Sequence, residues 1–293
     1  MLGVFLLTVR ELRAKWIVVG LFVIATLLWL TLALALQLDV VDGTLAGARL
    51  FGETALEADS LAQTDAAQAD AAPRTVPFGA ATLLEGLVFG AQAFVAGAAY
   101  WVGILLALFA TGGLVASLQT RGEIDLLLSK PLSRGQVLLG RLGGVWAVAL
   151  GLLVYLIGAV WLVMAVKSGL WSPRFLLAIG VIWAMFVVLY GLVTLVSVTT
   201  GSAALSLMAV LAVVFASLVL AIPELDTQVT AAWRPLVVGL GWALPRFPAV
   251  GTRLVPQLAT GQPVAELAAF ASSLGLGALF YGLAFWRFAR RDF

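Results

Sequence analysis

Long apolar stretches alternate with short charged ones along this chain, and that alternation carries most of its structural information. Runs free of Asp, Glu, Lys and Arg cover residues 16–38, 86–118, 142–166, 175–223 and 267–286. A bilayer core of about 30 Å needs about 20 apolar residues in a helix that rises about 1.5 Å per residue. Four of the runs fit one helix each. The stretch from 175 to 222 has 48 residues, about 72 Å as a single helix, which suits two helices and a tight turn. Thr199-Thr200-Gly201-Ser202, the small polar cluster within it, is the turn candidate.

The pattern therefore predicts an all-α polytopic membrane protein with one transmembrane domain over residues 1–293. Its six helices are expected at about 16–38, 88–118, 142–166, 175–199, 203–222 and 267–286, with long connections at 39–85 and 223–266. A seventh candidate, 235–251, is broken by Arg246 between Pro245 and Pro248 and reads as a short interfacial or re-entrant helix. The 39–85 connection is rich in Ala, Asp and Gln around 59–72 and reads as a solvated, partly disordered or loosely helical loop. Pro235, Pro245, Pro248, Pro256 and Pro263 punctuate 223–266, which predicts short helices and turns there. Residues 1–15 admit two readings, a helix lying on the membrane surface or an extension of the first span. Residues 1–35 also share features with a signal peptide, including Ala33-Leu34-Ala35, but the apolar run is long for one.

Composition sharpens the class. Hydrophobic residues make up 62% of the chain and charged ones 11%, with a mean hydropathy of +1.09. Soluble domains carry about 45–50% apolar and about 25% charged residues, so a soluble enzyme is excluded. Cys and His are both absent, which removes thiol and imidazole catalysis, Cys/His metal sites and His-ligated haem. No metal site is expected. Met164, Met185 and Met208 read as core filler, and Trp16, Trp171, Trp233 and Trp286 lie near span ends as interfacial anchors.

Charge sets the orientation. The N-terminal segment, the connection between helices 2 and 3 and the C-terminus together hold ten basic and four acidic residues, a net +6. The opposite face holds seven basic and eleven acidic residues, a net −4. Basic residues in short loops mark the cytoplasmic side, so both termini are expected inside.

Almost all the inward connections are short except 119–141, QTRGEIDLLLSKPLSRGQVLLGR. Glu123 and Asp125 suit a helix N-terminus, and Leu126, Leu127 and Leu128 form an apolar ridge behind them. Pro131 ends that helix and restricts Lys130. Ser133 and Gln136 then have the spacing of a capping box that opens the third span. The expectation is a small amphipathic helix, a sharp break and a capped transmembrane helix.

The spans themselves contain no Asp, Glu, Lys, Arg or His, and the chain has no P-loop. Midplane charges mark most ion-coupled carriers, and a P-loop would bind ATP directly. The absence of such charges counts against a secondary carrier, with ion sites built from backbone and hydroxyl groups left open. A separate ATPase gripping the inward loop would supply the energy.

Residues 122–141 resemble the signature of ABC-2 type permeases, the membrane subunits of ABC transporters. The closest resemblance is to the branch containing the permease of the nitrous oxide reductase maturation system. That resemblance implies export driven by a separate ATP-binding subunit, a paired permease (most simply a homodimer), contact with membrane lipid and no nucleic acid. It implies residence in the bacterial cytoplasmic (inner) membrane, with ATP and Mg held on the partner and no cofactor on this chain. It also implies a coupling role for Gly122, Glu123, Asp125, Leu126, Leu127, Leu128, Lys130, Pro131, Ser133, Arg134, Gln136 and Arg141. Gln119, Thr120 and Arg121 stand where the family commonly has acidic residues, and Glu123 replaces its usual Thr.

Gly140, Gly144, Gly151 and Gly158 fall on one face of helix 3. Small residues let helices approach closely in lipid, either within the chain or as a dimer seam. Two other functions were weighed. A non-transporting scaffold anchoring a partner complex fits the same composition. A lipid-modifying enzyme would need convergent carboxylates, and Glu224 and Asp226, two residues apart, face together poorly on a helix.

Overall fold

The computed structural model describes residues 2–41, 44–50, 53–57, 80–117, 133–222, 239–241 and 243–290. Among the described residues, six helices are long and apolar enough to cross a membrane. The charge-free runs thus hold the six spans, the first ending at Ala35 rather than 38, and the membrane-spanning part is all-α. In chain order, α1 is Leu2–Ala14 and α2 is Trp16–Ala35. Helix α3 starts as Ala80–Ala98, passes through a π-helical turn Ala99–Gly103, continues as Ile104–Thr111 and, after Gly112, ends as Gly113–Ser117. Helix α4 is Arg134–Ser168, α5 is Leu177–Thr200 after a 3-10 turn Pro173–Leu176, and α6 is Ala203–Leu220. Helix α7 runs through Phe247–Ala249, a second π-helical turn Val250–Leu254 and Val255–Thr260, and α8 is Leu267–Ala289.

Two spans are longer than their apolar runs. Helix α4 begins at Arg134 rather than near 142, because the Ser133 cap nucleates it there and Arg141 is accommodated inside. At 35 residues it measures about 50 Å, well beyond one bilayer core. Helix α3 likewise begins at Ala80, within the stretch assigned to the 39–85 loop.

That loop holds a further departure. Residues 36–57 form an antiparallel meander, β1 (Leu36–Val41), β2 (Thr44–Leu50) and β3 (Glu53–Glu57). Leu36 pairs with Leu50 and Gly47 with Glu57, and a register shift falls between Asp39 and Val40. The alternation Leu36-Gln37-Leu38-Asp39-Val40 is a strand pattern, which bulk composition conceals. The Ala/Asp/Gln-rich part, 59–72, lies outside the described residues.

Helix α5 is the centre of the bundle, burying Ile182, Phe186, Leu189, Tyr190 and Val193. Lipid offers no hydrophobic drive between helices, so small residues and hydrogen bonds locate them. Helix α8 approaches at two glycines: a Cβ on Gly277 would lie 2.8 Å from Val188 Cγ2, and one on Gly191 would lie 3.0 Å from the Tyr281 ring. Tyr281 donates to the Val187 carbonyl (2.8 Å), Trp146 donates to the Tyr281 hydroxyl (3.3 Å) and Trp183 donates to the Trp146 carbonyl (3.0 Å). These bonds join α4, α5 and α8.

The turn between α5 and α6 uses the expected cluster. Gly201 takes the left-handed conformation (φ 72°) and donates to the Ser197 carbonyl, and Ser202 caps α6 by accepting from Leu205 N. Only glycine adopts this conformation without strain. Within the 235–251 candidate, residues 239–241 and 243 are helical, and the helix breaks over 244–246, at Arg246, as expected. Helix α7 then starts at Phe247, with Pro248 in its first turn where a missing N–H costs nothing. It packs against α3 where the two π-helical turns meet. Tyr100 stacks on Phe247 (4.5 Å) and donates to its carbonyl (2.6 Å).

Candidate functional site

The sequence points to the 118–132 segment, and the structure describes both of its flanks. Gly122, Glu123, Asp125, Leu126, Leu127, Leu128, Lys130 and Pro131 lie outside the described residues. So do Glu224, Asp226 and Trp233.

On the C-terminal flank, Ser133 is extended (φ −71°, ψ 151°) and caps α4. Its hydroxyl accepts from Gln136 N (3.3 Å), and the Gln136 side chain accepts from Ser133 N (3.1 Å). The reciprocal pair satisfies two of the donors that a helix start leaves open. Arg134 opens the helix immediately after.

Two turns further on, Arg141 is only 2% exposed. Its Nε donates to the Leu114 carbonyl (3.2 Å), Nη2 to the Ser117 hydroxyl (2.9 Å) and Nη1 to Glu11 Oε2 (2.7 Å). Each contact has a physical cause. Leu114 and Ser117 lie at the C-terminal end of the described part of α3, the direction in which its carbonyls point and its dipole is negative. A buried guanidinium needs a fixed anion, and Glu11 is the sole acidic residue before Asp39. Arg141 therefore holds the two flanks of the 118–132 segment together and ties α1 to them.

Helix α1 lies along the start of α4. It buries Val4, Thr8 and Leu12, one residue per turn, and a break at Lys15 separates it from α2. A Cβ on Gly144 would fall 2.7 Å from Thr8 Cβ and 3.2 Å from the Phe5 carbonyl, so the small residue makes room for this contact. Gly140 is buried. Gly151, exposed, and Gly158, half-buried, have open space where a Cβ would be.

Glu11, Ser117 and Thr8 were not singled out from the sequence. The signal for Glu11 was present in the charge pattern, since a cation at the edge of an apolar run requires a counter-ion. No metal-binding cluster occurs among the described residues. A cavity of about 80 Å³ between α2, α3, α4 and α5 is lined by Leu21, Gly103, Ile104, Leu153, Leu156 and Phe186, among other apolar residues, and offers no charged group to fix a ligand.

A family model for ABC-2 family transporter proteins matches residues 4–293. The chain belongs to that family. No curated protein matches it. Membership makes the chain the permease component of an ABC transporter and a multi-pass membrane protein, and implies association with an ABC ATPase subunit. The Arg141 cluster sits where the 118–132 segment joins the membrane helices.

Proposed function

We propose that this chain is the permease subunit of an ATP-driven exporter in a bacterial inner membrane, in the branch of the nitrous oxide reductase maturation permease. Two copies pair as a homodimer, with the termini and the 118–132 segment facing the cytoplasm. Two ATPase subunits, which hold the ATP and Mg, grip that segment. ATP closes the ATPase dimer, residues 126–134 move as a lever, and the paired helix bundles reopen outward or extrude their cargo laterally. The observation that carries this reading is the family match over 4–293; the net positive charge of the inward segments supports the orientation. Replacing Arg134, or inserting a flexible segment at Pro131, leaves ATP hydrolysis running without the movement it should drive.

The test is affinity purification of the tagged chain from native membranes in mild detergent, followed by mass spectrometry and an ATPase assay. A stoichiometric ABC ATPase is expected. A chain that repeatedly purifies alone and without ATPase activity overturns the reading and leaves a membrane scaffold in its place.

A further inference from the structure

Helix α1 packs along α4. Phe5 and Thr8 meet Gly143 and Gly144, and three residues beyond Thr8, Glu11 meets Arg141, three residues earlier in α4. The reversed order makes the two helices antiparallel there. The first contact is close packing and the second an ion pair. The second contact is also the one shared with the end of α3, through Leu114 and Ser117. Beyond Glu11, α1 reaches α2 across the single non-helical residue Lys15. Helix α2 is the least buried of the six spans, and its Phe22, Thr26 and Trp29 meet Tyr155 of α4.

We propose that Glu11 and Arg141 are positioning residues of the coupling machinery: their ion pair makes α1 rigid with both flanks of the 118–132 segment and delivers a displacement there to the first span. This rests on the permease reading above. Packing at Phe5 and Thr8 attaches α1 to α4; the ion pair ties α1 to α3 as well, because Arg141 also bonds Leu114 and Ser117.

The chain lacks cysteine, so spin labels can be placed one by one in the full ATPase–permease complex, on one permease copy only. Gly3, Gly135 and Gly180 have open space at Cβ and report on α1, α4 and α5. On adding ATP, the Gly3–Gly180 and Gly135–Gly180 distances should shift together while Gly3–Gly135 stays constant. In Glu11→Gln and Glu11→Ala complexes the Gly3–Gly180 shift should be lost and the Gly135–Gly180 shift retained, with partial recovery in Glu11→Asp. Binding of the ATPase and its basal hydrolysis should be unchanged in all three variants.

A Gly3–Gly180 shift that survives Glu11→Ala, or is missing in the unsubstituted complex while Gly135 responds, overturns the ion-pair relay and leaves the permease reading intact. If no ATPase accompanies the chain, that reading falls and the relay with it.

Discussion

Thr8 and Gly144 approach so closely that a Cβ on the glycine would lie 2.7 Å from that of the threonine. The small-residue face of α4 is therefore split between uses. At Gly144 it admits α1, while at Gly151 and Gly158 it meets open space.

Gly144→Ala is expected to destabilise the protein by about 1–3 kcal/mol, the usual cost of forcing a methyl into a packed contact. Gly151→Ala and Gly158→Ala should change stability by about 0.5 kcal/mol or less. Thermal unfolding in one detergent ranks the three. The same samples give the oligomeric state by light scattering, and a shift to monomer in Gly151→Ala alone would place the dimer seam there.

Arg141→Ala should be costlier. It removes all three bonds of a buried guanidinium and leaves Glu11 and two α3 groups without their donor. Breaking one side of a buried pair costs about 3–5 kcal/mol, here toward the lower end because the Glu11 side chain is 34% exposed. Arg141→Lys should recover little, since an ammonium cannot reproduce the planar fork that reaches three acceptors. Loss of more than half of the folded yield in both variants would agree; wild-type melting in Arg141→Ala would show the cluster to be incidental.

The helices were legible because a bilayer imposes one rule on every span, a run of about 20 apolar residues with its backbone bonds satisfied internally. Local chemistry was equally readable where it stays local. Ser133 and Gln136 sit three apart and form the box their spacing implies, and Gly201 supplies the left-handed residue that the turn needs. What escaped is long-range. Glu11 and Arg141 are 130 residues apart, and no periodicity connects them. The meander at 36–57 escaped for another reason, since its alternation is only five or six residues long and lies beside a stretch of contrary composition. Arg141 also shows why charge alone misplaces a helix end: a partnered guanidinium continues α4 where an unpartnered one would have ended it.

Tyr100 and Gly251 test the junction of the two π-helical turns. Tyr100→Phe removes a buried hydrogen bond and leaves the Phe247 carbonyl short of its donor, a loss of about 1–3 kcal/mol. Gly251→Ala drives a methyl into the Tyr100 and Trp101 rings and should cost about as much or more. Because both act on one contact, the double variant should cost less than the sum. A double-mutant cycle by thermal unfolding checks this, and strict additivity would show that the two π-helical turns are energetically independent.

Gln92 makes the opposite prediction. It lies on the buried face of α3 at 1% exposure, and its Oε1 has no hydrogen-bond partner among the described residues. A buried acceptor left unpaired costs about 1–3 kcal/mol relative to a paired one, whereas an apolar group of similar shape in its place is neutral or stabilising. Gln92→Leu and Gln92→Met should therefore melt at or above the wild-type temperature. If both instead melt lower, the amide oxygen is satisfied in the assembled protein by a group outside the described residues, and Gln92→Glu should then separate the sources. A donor from water tolerates the carboxylate in its protonated form with little loss, while a fixed donor from the paired subunit would make that variant's stability depend on protein concentration.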